Sequence, residues 1–284
     1  MRNRSSLISQ IAHLESRRML SAVIDGNWLR VTGTNQADEI TVRWIDSPSR
    51  VEVTINEDVE TFASNLVGAI SIDGLEGDDL IRNQVGKSNS VVGGAGNDTI
   101  FGGAGRSYLY GGAGDDSLVG GSRVDLIYGD RDSESGPTLP GNDTMVGNGD
   151  NDWFYSDEGS DFIDGGSDIA SNESLEYYDV AYYVRRTVNL SLSFDGIAND
   201  GASAETGNLI NVEGISSGSG NDLLVGNDRS NVTVLGGLGN DTIKTLSGND
   251  TIWSDEGGSD LIDAGSGNDI IFPPSGWTGM VVEV

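Results

Sequence analysis

Beyond Gly74 the apolar side chains of this chain follow neither a helical rhythm nor simple alternation. A single large apolar residue stands two places after an aspartate, and the pair returns about every nine residues. The aspartates are Asp79, Asp98, Asp116, Asp125, Asp143, Asp152, Asp161, Asp222, Asp241, Asp250, Asp260 and Asp269. Their apolar partners are Ile81, Ile100, Leu118, Ile127, Met145, Phe154, Ile163, Leu224, Ile243, Ile252, Ile262 and Ile271. One apolar residue between polar neighbours predicts a three-residue strand whose central side chain points inward. So small a unit cannot bury its apolar side chain alone, which predicts a stacked array. Two nonapeptides make one coil, so residues eighteen apart should lie above one another, about 4.8 Å apart. Residues 24–73 read differently. There "NWLRVTGT", "DEITVRWID" and "RVEVTINED" alternate apolar and polar positions, with turns at 33–35 and 46–49. These are ordinary strands. They are expected to cap the array, with Trp28 and Trp44 in the cap core.

Glycines precede each aspartate in a fixed pattern, G-G-x-G-x-D-x-U-x, where U is apolar. The clearest copies place Gly93, Gly94 and Gly96 before Asp98, then Gly111, Gly112 and Gly114 before Asp116. A third places Gly236, Gly237 and Gly239 before Asp241. Glycines at the first, second and fourth positions are expected to adopt positive φ and turn the backbone so that its carbonyls converge. A carboxylate beside converging carbonyls suits calcium, which takes six to eight hard oxygen ligands. The twelve aspartates and nine glycines named above are therefore the candidate ligands of several Ca2+ ions. A flexible glycine-rich linker would not hold an apolar residue in register with an aspartate.

The pattern also breaks. Ser107 takes the aspartate place in 102–110, beside Arg106, and Arg123 replaces a glycine in 120–128. Asn89 and Asn231 stand at aspartate-like positions. Gaps or weak sites in the calcium row are expected around 102–128. Residues 130–140, "DRDSESGPTLP", read as a loop leaving one turn. The longer break at 169–213 contains Tyr177, Tyr178, Tyr182 and Tyr183, and should continue the stack with wider coils and less calcium. Arg185 and Arg186 are expected in salt bridges. Phe101, Tyr110, Tyr128, Tyr155, Trp253 and Phe272 occupy the ninth position, which should face outward. A row of outward rings either binds sugar or pairs across strands for a few tenths to about 1 kcal/mol per pair. Pairing is the plainer reading.

Composition narrows the chemistry. The 284 residues carry a formal net charge of −29, with Lys87 and Lys244 the only lysines. Such a surface repels nucleic acid and anionic membrane and attracts divalent cations. There are no cysteines and a single histidine, His13. Thiolate metal sites and Ser-His-Asp, Cys-His or HExxH catalysis are thereby excluded. No apolar run is long enough to span a membrane.

The copies "GGAGNDTIF", "GGAGDDSLV", "GGLGNDTIK" and "GSGNDIIF" resemble the RTX proteins, the hemolysin-type calcium-binding repeat family. The resemblance covers about 74–168 and 214–272. It implies an all-β fold: a parallel β-roll or β-helix of glycine-rich nonapeptides, with calcium in rows between turns, secreted into a calcium-rich medium. The expected division is a leader (1–22), a short β-rich N-terminal cap (23–73), repeat block one (74–168), spacer coils (169–213), repeat block two (214–272) and a tail (273–284). Leu14–Ala22, "LESRRMLSA", resembles a short LEPR-type export tag.

The leading functional expectation is an extracellular calcium-binding protein without catalysis, folded by the ions it binds. An adhesin or matrix component binding polysaccharide or cell-surface material is the alternative. A polysaccharide lyase or epimerase would need a site within 177–186, and the chain read here leaves no room for a separate catalytic domain.

Overall fold

A computed structural model describes residues 21–46, 49–167, 179–228, 231–254 and 257–273, and the backbone of 280–283. The export-tag reading, apart from Ser21 and Ala22, lies outside these residues, as do Tyr177 and Tyr178. Strand Ser21–Asp25 already begins at Ser21.

Nearly every strand pairs in parallel with the strand one coil away, as stacking of incomplete units requires. A 12-stranded sheet runs from the hairpin Ser21–Asp25/Trp28–Thr32 through Asn89–Ala95 and Leu126–Tyr128 to Ile270–Phe272. Opposite it, a 9-stranded sheet runs from Asp58–Ala63 through Thr99–Phe101 to Asn208–Ile210. A 5-stranded sheet takes over from Ser191–Ser193 to Met280–Glu283. Among the described residues the one helical element is a 3-10 turn, Ser64–Leu66, and no helix is long and apolar enough to cross a membrane.

The eighteen-residue rise is present: Leu109 pairs with Ile127, and Ile100 with Leu118. Other coils are larger. Leu118 pairs with Met145, and Ile127 with Phe154, each 27 residues on. The extra nine come with the loop at 130–140, which leaves the stack and returns in register. Ile163 pairs with Leu209, and Ala181 with Ile215, so strands from the 169–213 segment continue both sheets on wider coils. Loop closure costs little more as a loop lengthens, so an insertion survives where it leaves the inward positions aligned.

The apolar partner of the aspartate is the core. Ile81, Ile100, Leu118, Ile127, Met145, Phe154, Ile163, Leu224, Ile243, Ile252 and Ile262 all have no exposed surface and belong to one cluster. Each strand sends only about one such side chain inward, worth roughly 1.5–3 kcal/mol each. The antiparallel strands of the N-terminal segment extend both sheets, since Trp28–Thr32 pairs with Ala69–Glu76 and Glu39–Ile45 with Leu80–Asn83. Trp44 packs partly buried on the core, whereas Trp28 is 40% exposed and not a core residue. Its position alternates outward from buried Leu29 and Val31.

Among the ninth-position aromatics Phe101, Trp253 and Phe272 are exposed, as expected, while two of the tyrosines are covered. Tyr110, Tyr128, Tyr155 and Tyr182 do stack, with ring centroids 4.9, 4.3 and 5.0 Å apart. Yet Tyr110 and Tyr128 are buried, forming with Leu126 a second apolar cluster outside the main core. Arg131, from the loop, lies 5.2 Å over the Tyr128 ring and 5.5 Å over Tyr155. Its guanidinium pairs with buried Asp157. The loop covers the rings, which single-strand periodicity could not indicate.

Leu118→Ala should therefore cost about 2–5 kcal/mol in calcium by denaturant titration. Phe101→Ala, at an exposed position, should cost within about 0.5 kcal/mol.

Candidate metal centre

Each repeat aspartate uses one oxygen to tie coils together. The backbone N–H of Asp38 donates to Asp79 Oδ1 at 2.7 Å, that of Asp79 to Asp98 at 2.8 Å, and that of Asp98 to Asp116 at 2.8 Å. The row continues from Asp116 to Asp143 and from Asp143 to Asp161, both at 2.9 Å. On the other edge the N–H groups of Ser107, Asp125 and Asp152 donate to Asp125, Asp152 and Asp179. The second block repeats the device, Asp222 to Asp241 to Asp260 on one edge and Asp250 to Asp269 on the other. The fifth repeat position does the converse. Asp78, Asn97, Asp115 and Asn142 each accept the N–H of the next coil's fifth residue. Along this edge neighbouring turns are thus clamped from both sides.

The second carboxylate oxygen is the chemically telling one. Oδ2 of Asp79, Asp98, Asp116, Asp143 and Asp241 is buried and accepts no hydrogen bond from any described residue. The first glycine explains where it points. A Cβ added at Gly93 would collide with Asp98 Oδ2 and lie 2.7 Å from the Gly111 carbonyl oxygen. At Gly111 it would collide with Asp116 Oδ2 and lie 2.6 Å from the Gly129 carbonyl oxygen. Gly74, Gly120 and Gly147 repeat the arrangement with Asp79, Asp125 and Asp152. A carboxylate oxygen and the next coil's carbonyl oxygen therefore converge on the place a side chain would fill. Only hard oxygen donors meet there, the donor set calcium takes.

This revises the expected role of the first glycine. Gly94, Gly96, Gly112, Gly114, Gly237 and Gly239 have positive φ, but Gly93, Gly111 and Gly236 do not. The first glycine is required for space, the second and fourth for conformation.

Several stations carry a side chain at that first position. Ser156 and Ser254 donate their hydroxyls to Asp161 Oδ2 and Asp260 Oδ2. Ser217 and Thr245, before Asp222 and Asp250, donate to the carbonyls of Gly236 and Ala264. Ala264 itself stands first before the half-buried Asp269. At Gly102, where Ser107 replaces aspartate, the side-chain amides of Asn83 and Asn89 both donate 2.9 Å to the Gly102 carbonyl. Asp125 Oδ2 accepts the Gly121 N–H at 2.6 Å. At Asp125, Asp161 and Asp260 a protein hydrogen takes the position of positive charge. Oδ2 of Asp222 and of Asp250, by contrast, is buried and accepts no hydrogen bond from any described residue, as at the glycine-first turns.

Burial of the carboxylates raises their pKa values. Asp79 is pushed up to about 7, Asp98 to about 6, Asp116 to about 8 and Asp241 to about 7. Loss of hydration is the main cause; backbone N–H donors oppose it and neighbouring aspartates add to it. Asp143 reaches about 9, through burial first and then the charge of Asp161.

The sequence reading missed Asp38, Asp130, Asp179 and Glu213. Asp38 carries a legible signal, with Gly33 five places before it and Ile40 two after. Asp179 is in phase with the repeat, eighteen residues after Asp161, but is followed two places on by Ala181, too small to mark a core position; its N–H donates to Glu213 at 3.0 Å.

A family model for the RTX calcium-binding nonapeptide repeat (4 copies) matches residues 92–127, 110–133, 138–169, 233–258 and 254–273. The chain carries RTX repeats. RTX repeats bind Ca2+, and the oxygen pairs at the glycine-first turns are of the kind that holds it. No curated protein matches the chain. The RTX turns here fall into two chemical sets, those whose aspartate Oδ2 meets a protein hydrogen and those whose Oδ2 is buried without one from the described residues, that the nine-residue pattern alone does not separate.

Gly93→Ala should remove one ion per chain by equilibrium dialysis. It should lower stability in calcium by about 2.7 kcal/mol or more, the value of one site at a hundred times its dissociation constant. For the metal-free roll the pH dependence has a definite sign. Its aspartates bind protons more tightly folded than unfolded, so stability is greatest in acid and falls as pH rises through about 6 to 9. In EDTA the residual far-UV β signal should therefore be greater at pH 5 than at pH 8.

Proposed function

We propose that this is an extracellular, non-catalytic protein that folds as it binds calcium at its glycine-first turns. The supporting observation is the set of buried aspartate oxygens without a hydrogen-bond donor among the described residues, which at Asp79, Asp98 and Asp116 lie beside a carbonyl and a missing Cβ. The ligands are Asp79, Asp98 and Asp116, with the carbonyls of Gly93, Gly111 and Gly129 from the following coils, together with Asp143 and Asp241. Without the ions these carboxylates repel one another across a core of one residue per strand. A few filled sites at about 2.7 kcal/mol each match the whole stability of an ordinary domain, about 5–15 kcal/mol. Such a chain stays unfolded where calcium is scarce and folds where it is abundant, which is the reason for the extracellular assignment.

Nothing favours a sugar-binding tyrosine row, because Tyr128 is 1% exposed. A lyase or epimerase is disfavoured as well. Arg186 binds Glu205 at 2.6 and 2.8 Å, and Arg185 donates to the Gly136 carbonyl at 2.7 Å.

Calcium titration of the EDTA-treated chain, followed by far-UV circular dichroism, should give a cooperative gain of β signal at or below about 1 mM, the range of extracellular modules. Magnesium should not reproduce it, because it demands a tight octahedron and keeps its waters. A β spectrum that is complete in EDTA and unchanged by calcium defeats the proposal.

A further inference from the structure

At one turn the repeat is altered in a way that gathers charge. Asp130 stands at the second repeat position, where Gly94 and Gly112 stand in other copies, and the loop at 130–140 follows it. Its carboxylate lies in the same turn as Asp143 and meets Asp161 from the next coil. One carboxylate oxygen from each of the three lies within 4.8 Å of the other two. The residues are 1%, 1% and 3% exposed.

We propose that Asp130, Asp143 and Asp161 form a distinct three-carboxylate calcium site, stronger than the one-carboxylate turns around it. The assignment rests on the calcium reading above, but it depends on residues that the repeat pattern does not specify.

Four observations carry it. First, the spacing fits: two oxygens bound to one calcium at 2.3–2.6 Å stand at most about 5 Å apart. Second, two oxygens are committed to nothing else. Asp130 Oδ1 and Asp143 Oδ2 are buried and accept no hydrogen bond from any described residue. Third, the partner oxygens are pinned, which orients the carboxylates. Asp130 Oδ2 accepts the Glu158 N–H at 2.8 Å, and Asp143 Oδ1 the Asp116 N–H at 2.9 Å. Asp161 differs: both its oxygens accept hydrogen bonds, Oδ1 from the Asp143 N–H at 2.9 Å and Oδ2 from the Ser156 hydroxyl, so it meets the ion through a remaining lone pair. Fourth, the neighbouring guanidinium groups bind elsewhere, Arg131 to Asp157 and Arg186 to Glu205. Three buried carboxylates without a bonded cation are too costly to leave charged, and one divalent ion removes most of that cost. Hard oxygens at this spread favour calcium over magnesium.

The site also has a structural consequence. The Asp130 carbonyl accepts the Leu139 N–H at 2.8 Å, which closes the base of the loop. The same loop sends Arg131 over the Tyr128 and Tyr155 rings. An ion here fastens the loop that covers the tyrosine stack.

The test is calcium titration calorimetry and ion counting by mass spectrometry on the full chain, for wild type, Asp130→Asn and Asp98→Asn. Wild type should show one tight class of about one ion above a weaker class. D130N should lose that class or weaken it at least about tenfold, since ligand charge sets calcium affinity, with its far-UV spectrum in saturating calcium retained. D98N should lose an ion from the weak class and keep the tight one. If D130N does not fold, anomalous scattering from wild-type crystals grown in calcium decides, with a peak expected among the three carboxylates. Wild-type count and affinity in D130N, or filled glycine-first turns with no peak at Asp130, would overturn the site alone. Absence of any bound calcium in wild type would instead sink the reading of the whole array.

Discussion

The structure depends on a carboxylate whose two oxygens face different partners. One accepts a backbone N–H from the preceding coil; the other is buried beside the carbonyl of the following coil with no protein donor. The first contact needs the carboxylate in place, and the second penalises its charge unless a cation joins it. Stacking and metal binding are therefore one event. A conventional domain could offset a few strained carboxylates with a deep core. Here each strand contributes about one inward side chain, so the electrostatic term decides whether the stack exists.

Glycine at the first repeat position is the switch between two ways of satisfying that oxygen. Where it is glycine, space remains beside Asp79, Asp98 and Asp116 for an ion. Where it is Ser156 or Ser254, a hydroxyl hydrogen meets the carboxylate directly. The two solutions are isosteric enough to coexist in one stack, because both leave the strand register and the Oδ1 contact untouched. Both blocks contain both: hydroxyls meet Asp161 in the first and Asp260 in the second, and buried Oδ2 atoms without a donor from the described residues occur in each.

Interruptions are absorbed by the same logic. The loop at 130–140 and the long coils between Ile163 and Leu209 add residues only between stations, so inward side chains still align. The loop then acquires a role of its own. It brings Arg131 over the tyrosine stack and follows Asp130, which stands beside two repeat aspartates.

Much of this was legible in the sequence, because each repeat must satisfy its own local constraints. Aspartate two places before an apolar residue marks strand, core position and carboxylate together, and a nine-residue period forces parallel stacking. The all-β roll, the inward residues and the repeat aspartates followed from that. What the sequence alone did not decide depended on contacts between coils. The pattern shows a serine at position 156 but not that its hydroxyl reaches Asp161. It shows Gly93 but not that space, rather than φ, is what requires it. It places Tyr128 on an outer face but cannot say that residues 130–140 fold back over it, nor that Asp130 joins Asp143 and Asp161. Periodicity records what each unit needs for itself; which oxygen, hydroxyl or ring it meets is settled only when neighbouring coils come within 5 Å of one another.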